Sequence, residues 1–81
     1  MTREEYRAAL RDECRTPDEA LRQCEGNLRQ AMSNAERWSR NGDAGSDWFA
    51  NRCRIRALEA ARDVRDALDL AIEMMEASDD Q

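Results

Sequence analysis

Apolar residues along this 81-residue chain recur at intervals of three and four and never alternate with period two, so the pattern predicts helices throughout. Strands have little to grow from, because the β-branched aliphatics are only Ile55, Val64 and Ile72. The expected fold is all-α: an antiparallel hairpin of helices over about 17–40 and 47–77, preceded by a short helix over about 3–15, forming one domain over 1–81.

Thr2 with Glu5 three residues later has the form of a capping box and starts the first helix. Tyr6, Ala9, Leu10 and Cys14 give that helix one apolar edge, and Pro17 ends it by disfavouring helical geometry at Thr16. Thr16-Pro17-Asp18-Glu19 is the strongest local signal, combining a capping threonine, proline at the first helical position and acids in the first turn. In the second helix Leu21, Cys24, Leu28, Ala31, Ala35 and Trp38 form a heptad seam.

Asn41 to Ser46 is the one Gly-rich stretch and reads as a short connector, with Ser46 or Asp47 capping the third helix. That helix carries a seam of small residues, Ala50, Cys53, Ala57, Ala60, Val64 and Ala67, continued by Ala71 and Met74. Leu58, Ala61, Leu68, Ile72 and Met75 widen it. Folding at residue 44 sets Trp38 near Ala50, Leu28 near Ala60 and Cys24 near Val64, so that large faces small. The third helix then overhangs the second, where the first helix can fold back over it, and residues 78–81 read as a frayed tail.

A chain this short has a thin core, which makes self-association or a binding partner an expectation. All 13 basic residues are arginine, in keeping with a GC-rich coding sequence, and the net charge of −5 disfavours direct attraction to nucleic acid or anionic lipid. With no long apolar run and an acidic start at Met1 to Glu5, neither a membrane span nor a secretory leader is expected, and the expected location is cytoplasmic. Cys14, Cys24 and Cys53 are read as free thiols, Cys24 and Cys53 in the seam and Cys14 exposed.

The residues for catalysis are missing. The chain has no histidine, and it carries no Cys-x-x-Cys, phosphate-binding glycine loop or nucleophile elbow, so no enzyme activity, cofactor or metal site is expected. Work must then be done by surfaces. Asp63, Asp66, Asp69, Glu73 and Glu76 are read as an acidic row on the solvent side of the third helix. Placing acids near a helix C-terminus opposes the helix dipole, which suggests a use for them. Trp48, Ile55 and Leu70 are read as projecting apolar contacts, with Phe49 packed beside Trp38 and the arginines from Arg52 to Arg65 paired to acids of their own helix.

The expected function is a non-catalytic protein-binding or inhibitory module that docks its acidic face on a larger protein with a basic surface. A phage or mobile-element protein that mimics nucleic acid to inhibit a nucleic-acid-handling host defence system would have this character. A homodimeric scaffold or assembly component is the alternative, and a nucleic-acid binder acting through the Arg52–Arg65 surface is a further one.

Overall fold

The computed structural model describes residues 1–42 and 47–79 and contains three helices among them: α1 (Arg3–Glu13), α2 (Pro17–Gly42) and α3 (Asp47–Asp79). The fold is all-α, a tightly packed antiparallel hairpin of α2 and α3 with a short N-terminal helix, as the spacing predicts. Residues 43–46 and 80–81 lie outside the described residues, and with them the expected fold point and the Ser46 cap. The Ser78–Asp79 part of the expected tail is helical instead, and Ser78 Oγ donates to the Met74 carbonyl at 3.1 Å.

Local chemistry explains the boundaries. The Glu5 amide donates to Thr2 Oγ1 at 3.1 Å, and the Glu19 amide donates to Thr16 Oγ1 at 3.3 Å. At the second cap the Glu19 carboxylate reaches one residue further back than a standard box and accepts from the Arg15 amide at 3.0 Å. Between the helices Cys14 is extended, with φ −97° and ψ 110°, while its amide closes α1 by donating to the Leu10 carbonyl. This corner reverses the chain, so α1 runs antiparallel to α2 and parallel to α3.

The hairpin register is as expected at Cys24, whose thiol donates to the Val64 carbonyl at 3.0 Å. The rotation of α2 about its axis is different. Its buried positions are Ala20, Cys24 and Asn34, with Asn27 and Ala31 half-buried between them. Leu21, Leu28 and Trp38, expected in the seam, are instead exposed. The reason is steric: α3 presents Ala50, Cys53, Ala57 and Ala60, all buried, and small residues on both sides let the two backbones approach more closely than leucines would. Small therefore faces small, and the large side chains are displaced to one side. Asn34 sits in this seam 2% exposed, and its Nδ2 has no hydrogen-bond partner among the described residues.

The apolar core lies where all three helices meet. Leu10 and Cys14 join Ala20, Cys24, Ala67 and Leu70, with Tyr6, Val64 and Met74 packed around them. Cys14 is thus buried, contrary to the expectation of an exposed thiol, because α1 ends against the start of α2. The molecule is elongated, 55 × 21 × 15 Å. No helix among the described residues is long and apolar enough to cross a membrane.

Candidate interaction surfaces

The acidic row of α3 does not face solvent as a unit. Arg3, Arg7 and Arg11 stand four residues apart on α1 and lie along it. Arg3 Nη1 donates to Asp63 Oδ1 at 2.6 Å and to Asp66 Oδ2 at 3.1 Å, and Arg7 Nε donates to Asp66 Oδ1 at 3.0 Å. The Asp66 side chain is 0% exposed, so both its oxygens are satisfied inside the α1–α3 junction. Arg11 meets Glu73 at 3.1 Å with both side chains open to water, where such a pair contributes little.

The reading of these carboxylates as a solvent row is therefore corrected at Asp66, and Asp63 and Glu73 are taken up by arginines of the same chain. Asp69 and Glu76 remain exposed, without an ion pair among the described residues. Leu70, read as a projecting contact, is 7% exposed because α1 covers it.

The same junction holds the groups with displaced protonation. The hydrogen bond to Asp63 raises the Arg3 pKa, the largest of its causes, and Arg3 also lies 5.2 Å over the Tyr6 ring. Burial raises Tyr6, whose hydroxyl accepts from Asn27 Nδ2 at 3.0 Å. Burial likewise pushes up the Cys14 and Cys24 thiols, which keeps them protonated and unreactive.

On the opposite flank of α3 no further helix is packed among the described residues. Leu58, Leu68, Ile72 and Met75 are each about two-fifths exposed. The displaced residues of α2 lie on the same side of the hairpin: Leu21, Leu28 at 48%, Met32 at 64% and Trp38. Part of this face is a groove of about 430 Å³ between the helices, lined by Met32, Ala35 and Trp38 from α2 and by Arg54, Leu58 and Ala61 from α3. Helical spacing carries it on through Leu28 and Leu21 on one helix and Leu68, Ile72 and Met75 on the other.

Comparison of the chain with protein-family models, with curated proteins and with solved structures yields no match.

At the start of α3 Trp48 is 72% exposed, with Arg52 stacked over its ring at 5.1 Å, and Ile55 is partly exposed beside Arg52, Arg56 and Glu59. Trp48 and Ile55 thus project as expected, separated from the buried Leu70. The expected pairing of the α3 arginines with acids of their own helix is not found among the described residues; Arg54 donates to Asn51 Oδ1 instead. Phe49 and Trp38, expected to pack together, are each about two-fifths exposed. No cluster of three or more acidic or cysteine side chains among the described residues is placed to hold a metal ion.

The open apolar face was missed from sequence as a surface. A signal was present, because α2 carries two overlapping rows, Ala20-Cys24-Asn27-Ala31-Asn34 and Leu21-Leu28-Ala35 with Met32, and one neighbouring helix can cover only one of them.

Proposed function

We propose that this chain is a protein-interaction module whose working surface is the open apolar face of the α2–α3 hairpin, with the acidic row serving chiefly to seat α1. The observation that carries this reading is the cluster of Leu28, Met32, Trp38, Leu58, Leu68 and Ile72, exposed together on one side of two rigid helices. Monomeric proteins rarely leave so continuous an apolar surface in water, because keeping it hydrated forfeits about 25 cal/mol for each Å² that burial would remove. An acid-row mimic of nucleic acid has less support, since Asp63, Asp66 and Glu73 are engaged by Arg3, Arg7 and Arg11.

The test sets the two surfaces against each other. The tagged chain is used as bait in a lysate that also contains untagged copies of it. Capture should be lost on Leu28→Glu with Leu68→Glu and retained on Asp69→Arg with Glu76→Arg. The reverse result returns the function to the carboxylates.

A second reading is favoured by one observation: Arg52, Arg54, Arg56, Arg62 and Arg65 have no carboxylate partner among the described residues, and Trp48 lies under Arg52. Such a surface suits stacking and phosphate contact with single-stranded nucleic acid.

A further inference from the structure

The charge on this hairpin is divided along its length. Residues 29–42 and 47–62, which form the connector half, hold seven arginines and three acids, a net of +4. Residues 1–28 and 63–79, which form the three-helix end, hold six arginines and thirteen acids, a net of −7. The open apolar face runs between these poles, with Trp38, Met32 and Leu58 in the positive half and Leu21, Leu68, Ile72 and Met75 toward the negative one.

A surface that is apolar along its middle and opposite in sign at its ends is complementary to itself after a half-turn about an axis across the long dimension. A basic protein would be matched by a uniformly negative rim, and this face does not have one. From this self-complementarity we infer that the occupant of the face is a second copy of the chain, laid antiparallel to the first so that the two hairpins close into a four-helix core. In that arrangement Trp38 of one copy covers the Ile72–Met75 end of the other, and the connector half of each lies beside the acidic end of its partner. α1 stays outside, on the far flank of α3.

The wide stripe of α3 has the same explanation, because a helix in a bundle touches two neighbours and must be apolar on both sides of its seam.

The inference rests on the face being the working surface, and its test separates the two. Sedimentation of the purified full chain over a concentration series should give a species of twice 9.4 kDa. Leu28→Glu with Leu68→Glu should convert it to a monomer with an unchanged helical circular dichroism spectrum, since both positions are exposed in the single chain. A spin label on Trp48→Cys, at the connector end and away from the apolar face, should report a long distance between copies, toward the 55 Å length of the molecule.

A chain that stays monomeric at millimolar concentration overturns the inference, as does a dimer that survives the double glutamate variant or one whose Trp48→Cys labels lie close together. Should that monomer still capture another protein through Leu28 and Leu68, the proposed function stands while the self-pairing falls. Loss of all capture removes both.

Discussion

The two flanks of α3 are made from similar materials and meet different fates. On one flank Leu70 and Asp66 are enclosed by α1, the leucine by Leu10 and the core beneath it, the aspartate by Arg3 and Arg7. On the other, Leu68 stands in the open, while Asp69, at the rim of the α1–α3 cleft, is exposed as well. Residue type therefore does not decide which side is interior. What decides it is that α1, tied by the Cys14 corner, lies on one flank only, and its three arginines are spaced to match carboxylates there. The covered flank carries internal stability, and the bare flank is the one on which the proposed partner would dock.

The largest test of this contrast compares two leucines two residues apart. Leu70→Ala should lower unfolding stability by about 3 kcal/mol, from lost burial and an unfilled cavity. Leu68→Ala should change it by less than about 1 kcal/mol when the chain is dilute. Urea denaturation at micromolar concentration measures both, and equal losses would mean that the flanks are not distinct. If the chain pairs with itself, the Leu68→Ala cost should grow with concentration.

The next effect separates two aspartates. Asp66→Ala removes the buried carboxylate that Arg3 and Arg7 share, for a loss of about 2 kcal/mol. Asp69→Ala should stay within about 0.5 kcal/mol. A matching small effect at both positions would show that α1 is not seated by its arginines.

The smallest effect is alkaline. Burial raises both Cys14 and Tyr6, so their protonated forms favour the folded state. That contribution is complete below the ordinary thiol range, near about pH 8.5 for cysteine and about pH 10 for tyrosine, and is lost as pH rises through the raised folded values. α1 should loosen first on alkaline titration, with late phenolate absorbance and slow Cys14 alkylation near pH 8. Cys14 reacting at the rate of a free thiol at pH 8 would contradict the docking of α1, whereas acidification should leave this contribution intact.

Much of the fold was legible because its signals are local. Thr2 and Thr16 cap where a capping threonine must, Pro17 opens a helix that it could not continue, and the spacing of Ala50, Cys53, Ala57 and Ala60 describes one helical edge whatever lies against it. The candidate surface was less legible. Leu21 and Ala20 are neighbours, and hydrophobicity favours the leucine for the interior, yet backbone approach against an alanine seam selects the alanine.

By itself, then, the sequence determined three helices, their boundaries to within two or three residues and the Cys24–Val64 register, since capping and periodicity act over a few residues. Tertiary structure alone decided which of two apolar rows on α2 turned inward and which acids of α3 stayed in water. Both choices depend on how near a second helix can come and on where a third one lands, quantities set by shape across the fold and carried by no single stretch of chain.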